Sequence, residues 1–224
     1  MATNAKALLA NPYLNEWRLF WLVTLVVSGF TAVTMTTVDL TRATDISAMI
    51  QYTVRWSVPW LYLAFVASSL QVVFPSLFSR WLARNRKYFG LCFASAMAWQ
   101  LLFILWMLGL HSEYYAREVY NLSDTIEGVV GYMILMAMVL TSFSFGRNRL
   151  SPKQWRYLHK FGIYYLWGYA WSVYWYELYY YQAPLHAIDY AFYWIGFIAW
   201  GVRIWAWSKK EIIRSDRAAA KKPA

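Results

Sequence analysis

Charge is scarce in this chain. Only 14% of its 224 residues are Asp, Glu, Lys or Arg, and only 11 are acidic. A soluble domain carries about 25% charge, so the composition excludes an ordinary water-soluble globule. Cysteine is scarcer still: Cys92 stands alone, which rules out an intramolecular disulfide and a thiolate-held metal cluster. The motifs of familiar soluble chemistry are missing too, with no Gly-rich phosphate loop, HExxH, GxSxG or CxxC. The opening stretch MATNAKALLANPYLNEW lacks the basic start, short apolar core and small-residue cleavage site of a secretory signal. The first apolar segment is therefore expected to stay as an anchor.

What the chain does have is apolar and aromatic surface, with 60% hydrophobic and 21% aromatic residues. Apolar stretches run at about 17–38, 56–78, 88–110, 126–145, 160–181 and 187–207, and roughly 20 residues suffice to cross a bilayer as a helix. The expectation is an all-α polytopic membrane protein, a bundle of six transmembrane helices over residues 17–207. Residues 1–16 form an N-terminal interfacial segment and 208–224 a basic tail. So little sequence remains between the spans that no soluble catalytic or nucleotide-binding module fits, and the chain is expected to lack catalytic activity of its own.

The net charge of +10 does not form a nucleic-acid patch, because the basic residues cluster between alternate spans. Arg80, Arg84, Arg86 and Lys87 separate the second span from the third, and Arg147, Arg149, Lys153, Arg156 and Lys160 the fourth from the fifth. The opposite connections are acidic, with Asp39, Asp45, Glu113, Glu118, Asp124, Glu127, Glu177 and Asp189. Under the positive-inside rule both termini are cytoplasmic; the expected setting is a bacterial inner membrane, with lipid and other membrane subunits as partners. Pro59 and Pro75 predict a kink or a frayed end in the second span. SPKQW (151–155) places Ser151 as an N-cap and Pro152 in the first turn of the fifth helix.

Three segments in order, RKYFGLCFASAMAWQ (86–100), LTS (140–142) and WRYLH (155–159), resemble the ferric-reductase-like transmembrane domain. The likeness is to its small bacterial branch, the heme-binding membrane subunit of a periplasmic methionine sulfoxide reductase system. It covers about residues 86–175. The resemblance implies histidines on the third and fifth spans that ligate b-type hemes. Carried over, those positions are Gln100, His159 and Ser172, of which only His159 is a histidine. Low-spin heme needs two strong axial donors, and Gln and Ser are poor ones. The resemblance thus implies a scaffold that has lost its full transmembrane heme chain and serves as an accessory subunit. Large rings such as Trp99, Trp106, Tyr164, Trp167, Trp171, Trp175 and Tyr176 are expected to fill the vacated volume.

Alternatives stay open for each candidate. His159 is either a ligand of one heme b or of a chlorin pigment, or an interfacial histidine beside Arg156 and Lys160. Gln100 needs an interhelical hydrogen bond in the membrane interior, with Ser172 as the expected partner, or else contacts quinone or substrate. His111, Glu177, His186 and Asp189 lie at the same outer level, where imidazole and carboxylate could hold a metal or simply form a polar rim. Arg203 is expected to snorkel to the cytoplasmic headgroups, and Arg55 to the outer ones, with Asp39 nearby. YWYELYYYQ (174–182) reads as an aromatic belt. Gly90, Ala94, Ala96 and Ala98 suggest a close-packing face on the third span.

Overall fold

The structure, a computed structural model, describes residues 9–180 and 186–219. Six long helices account for most of it: α1 (Glu16–Met35), α2 (Ala43–Val73), α3 (Leu77–Leu110), α4 (Leu122–Leu140), α5 (Pro152–Tyr179) and α6 (Ala187–Ala219). No strand occurs among the described residues. Helices α1 to α4 are each long and apolar enough to cross a membrane, which fits an integral membrane protein. The apolar surface of α5 and α6 is carried largely by tyrosine and tryptophan, whose hydroxyl and indole N–H make them amphipathic.

Helix ends follow local chemistry. Pro75 falls in the break between α2 and α3, not inside a span. Because α2 begins at Ala43 and α3 at Leu77, both start well before the apolar stretches expected from sequence. Pro59 is accommodated within α2. Ser151 and Gln154 close α5 reciprocally. The Gln154 N–H donates to Ser151 Oγ at 3.2 Å and the Ser151 N–H to Gln154 Oε1 at 2.9 Å. Ser76 and Ser79 do the same for α3. At its far end α6 carries the basic tail as continuous helix to Ala219.

The core is organised on α2 and α3, whose Leu61, Phe65, Leu82 and Phe89 are fully enclosed. Around that pair α1 packs on α3, α6 on α2, and α5 bridges α4 and α6. A smaller cluster of Ile46, Met49, Phe103 and Met107 seals the other end of the α2–α3 pair. The stripe from Gly90 to Ala98 is not the closest helix contact: Gly90 has open space around it and Ala98 is exposed. The tight approaches are elsewhere. Gly162 faces Met138 and Ile134 where α5 meets α4, and Gly196 of α6 faces Tyr62 and Trp171.

The chain entering α1 is held by a polar latch that no sequence motif announced. Asn85, fully buried on α3, accepts the Glu16 N–H at 2.8 Å and donates to Asn15 Oδ1 at 3.0 Å. Trp81 Nε1 donates to the Leu14 carbonyl at 2.9 Å. Glu16 adopts a positive φ of 55°, a conformation that costs a non-glycine residue about 1 kcal/mol or more. The bonds to Asn85 fix that turn.

Candidate functional site

The three segments that carry the family resemblance meet at one place. Arg86, Lys87 and Gly90 of α3, Thr141 and Ser142 after α4, and Trp155 and His159 of α5 line a single cavity of about 450 Å³. Its deeper wall is apolar, with Leu61, Leu135, Ile163 and Leu166 among the lining residues. Arg147, on the short helical turn Ser144–Arg147, completes the mouth. The cavity lies where α4 ends and α5 begins, the basic end of the helix set.

Thr141 ties the two segments together. Its carbonyl accepts from Trp155 Nε1 at 3.0 Å, and its hydroxyl meets His159 Nε2 at 3.0 Å. That hydroxyl also donates to the Ala137 carbonyl at 2.7 Å. A hydroxyl has one proton, so with it given to Ala137 the imidazole Nε2–H donates to Thr141. The His159 ring also packs at a tilt against Trp155 with centroids 4.4 Å apart, and the Arg147 guanidinium lies 5.1 Å from the centre of that indole. His159 is half-buried and engaged with protein on several sides.

The other two family positions are likewise engaged. Gln100 takes its interhelical bond from Tyr132 of α4, whose hydroxyl donates to Oε1 at 2.8 Å. Ser172 donates to the Tyr169 carbonyl of its own helix at 2.8 Å. The expected Gln100–Ser172 pairing is thus replaced, because the Tyr132 hydroxyl reaches α3 directly and a serine on a helix can satisfy itself one turn back.

A six-coordinate heme needs two strong axial donors. The Nε2 of His159 is committed to Thr141. Met138 also lines the cavity, but its sulfur packs on Gly162, one turn along from His159 on the same helix. Deeper in, stacked rings bridge α2, α5 and α6. Trp167 lies 5.1 Å from Phe65, 6.0 Å from Trp171 and 6.2 Å from Trp200, and Trp171 lies 5.4 Å from Tyr193. Not every ring expected to fill the interior does so. Trp175 and Tyr176 are exposed, and the Trp99 indole turns to α1, donating to Ser28 at 2.9 Å.

Arg203 departs from the sequence expectation. Instead of snorkelling away, its guanidinium donates to the Phe65 carbonyl at 2.7 Å and the Tyr164 hydroxyl at 3.1 Å. It lies 4.3 Å from the centroid of each of those rings. The Phe65 carbonyl within α2 and two aromatic faces hold the charge.

At the acidic end the four outer residues do not converge as a set. Asp189, with its side chain 3% exposed, is taken by Arg55 at 3.2 Å and also accepts the His186 N–H at 3.0 Å. Arg55 therefore pairs with Asp189 and not with Asp39. Thr41 instead supplies the partners of Asp39, and its hydroxyl and N–H hold that carboxyl below the usual range. Among the described residues, Glu177 Oε2 is buried without a hydrogen-bond partner, as are His111 Nε2 and the hydroxyls of Tyr62 and Tyr174. No group of three or more metal-ligating side chains occurs among the described residues. Residues 181 and 182 of the aromatic belt lie outside them.

Comparison with protein-family models, with curated proteins and with solved structures finds no match.

Proposed function

We propose that this chain is an accessory subunit of a larger membrane complex, built on a six-span scaffold of the ferric-reductase-like type with both termini cytoplasmic. The observation that carries the reading is the state of the three family ligand positions. Gln100 is bonded to Tyr132, His159 to Thr141, and Ser172 to its own helix, so each serves packing instead of presenting a donor to a ring. The alternating placement of basic and acidic connections supports the topology, and a bacterial inner membrane is the setting that matches it.

Exposed apolar surface supports the subunit role. Val129, Met133 and Met136 of α4 and Trp194, Phe197, Ile198 and Trp205 of α6 all face outward. Lipid covers such surface in a bilayer, and a partner helix covers it equally well. A heme b electron carrier using His159 is the second reading. It requires the imidazole to release Thr141 and a second ligand to come from another chain. A metal site at the outer rim is a third, and it would have to displace Arg55 from Asp189.

The test is extraction of a tagged chain from its native membrane in mild detergent, followed by mass measurement of the particle. The expected result is a stoichiometric assembly with other membrane proteins. Elution of the chain without any protein partner overturns the subunit reading.

A further inference from the structure

We propose that the cavity at the basic end is a specific site for an anionic phospholipid, with the phosphate held by Arg86, Lys87 and Arg147 and an acyl chain lying along the apolar wall. This goes beyond the subunit reading and does not depend on the family resemblance.

The first ground is charge. Three cationic side chains line the cavity and no carboxylate does. Arg86 is half-buried on α3, and the titratable groups beside it, Arg203 and His159, are both basic types that bring it no negative charge. Among the described residues it has no salt-bridge partner: the pairs present are Arg55–Asp189, Arg117–Glu113 and Arg214–Glu211. A guanidinium withdrawn from water without an anion is costly, more so near hydrocarbon, so the site as built is complementary to a negative ligand.

Arg147 and Lys87 are placed by aromatic rings. The Arg147 guanidinium lies over Trp155 and donates to the Leu150 carbonyl at 3.0 Å. The Lys87 ammonium lies 5.4 to 5.8 Å from the centroids of Trp17, Tyr88 and Phe143. Such contacts orient a cation without neutralising it. The hydroxyls of Thr141 and Ser142 at the rim are turned to the Ala137 and Met138 carbonyls and leave the anion to the cations.

The second ground is shape and polarity. Behind the cations the walls are Leu61, Ala64, Phe93, Leu135, Ile163 and Leu166, which offer nothing to a free hydrated anion and everything to a hydrocarbon chain. Basic pockets between helices at the leaflet level bind phospholipid headgroups on the same principle. A free phosphate shares the head chemistry but leaves the apolar wall unused.

The experiment uses the full chain, purified and stripped of co-purifying lipid by extended detergent washing. Its thermal unfolding midpoint is followed as dioleoylphosphatidylglycerol, dioleoylphosphatidylcholine or inorganic phosphate is added. Phosphatidylglycerol is expected to raise the midpoint saturably at concentrations where the other two do not. Arg86→Gln and Arg147→Gln should each weaken that response roughly tenfold, as expected for a lost charge-assisted bond. Lys160→Gln, whose residue does not line the cavity, should leave it unchanged.

An equal response to phosphatidylcholine overturns the charge argument. A full response to inorganic phosphate removes the lipid and leaves a free-anion site. A Lys160→Gln loss as large as that of Arg86→Gln reduces the effect to diffuse attraction at the basic end. Should Arg86→Gln fail to accumulate, Lys87→Gln and Arg147→Gln carry the comparison, with native mass spectrometry counting retained phosphatidylglycerol on each.

Discussion

Removing Arg55 should damage this protein more than neutralising its partner Asp189, although both changes break the same ion pair. The two side chains are unequally buried: Asp189 is 3% exposed and Arg55 30%. Arg55→Ala strands a buried carboxylate whose remaining donor is the His186 N–H. Losing one member of a buried pair costs about 3–5 kcal/mol, and the partial exposure of Arg55 moves the expectation to the lower end, about 3 kcal/mol. Asp189→Asn keeps the side-chain shape and an oxygen for His186, and it leaves a guanidinium that can turn to solvent. That places its cost near the range of exposed pairs, about 1 kcal/mol. With the carboxylate already neutral, removing Arg55 has little left to strand, so the double variant should fall about 2 kcal/mol short of the additive sum. The assay is equilibrium unfolding of the detergent-solubilised chain by added sodium dodecyl sulfate, with all four forms compared. Equal single costs, or strict additivity, would refute the assignment of Arg55–Asp189 as a desolvated pair.

Gly146 should not accept a side chain. A Cβ there would run into the backbone of Leu140 and Thr141, whereas one at Gly168 meets nothing. Gly146→Ala is expected to cost about 1–3 kcal/mol, and Gly168→Ala to be neutral or stabilising by up to about 1 kcal/mol, in the same unfolding assay. Tyr132→Phe should cost about 1–2 kcal/mol by leaving Gln100 Oε1 without its donor. The topology is open to a labelling test because the lone cysteine is buried. In a Cys92→Ala background, Thr37→Cys should react with an impermeant maleimide from outside intact spheroplasts. Lys153→Cys should react only after the membrane is opened, and the reverse pattern would invert the orientation.

Much of the helical architecture was legible because apolar length and end chemistry are local. Ser151, Pro152 and Gln154 announce the start of α5 in five residues, and Cys92 sits buried in the third helix as a lone thiol should. The early starts of α2 and α3 were harder to see. Their first turns are polar on one side, so a search for unbroken apolar runs begins too late. Pair choices were the least legible. Arg55, Asp39 and Asp189 all lie at one level, and only the packing of α6 against α2 decides which carboxylate reaches the guanidinium. Arg203 reads as a snorkelling residue from its place in the last two turns of the sixth apolar stretch, yet two rings and the Phe65 carbonyl, all distant in sequence, hold it. Gln100 was rightly expected to need a partner, but Tyr132 competes for it from α4, a helix that the resemblance did not connect to that position. The cavity was foreshadowed only indirectly, by three short segments whose convergence no spacing rule describes.

The central proposal is that the three positions where the resemblance places heme ligands serve packing, and that the chain carries no transmembrane heme pair. Visible absorption of the purified protein, oxidised and then reduced with dithionite, tests it most directly when metal content is measured on the same sample. The account predicts a spectrum without a Soret band or reduced α and β bands, and iron far below one per chain. A Soret band with sharp reduced bands at near-stoichiometric heme, lost in His159→Ala, would contradict it.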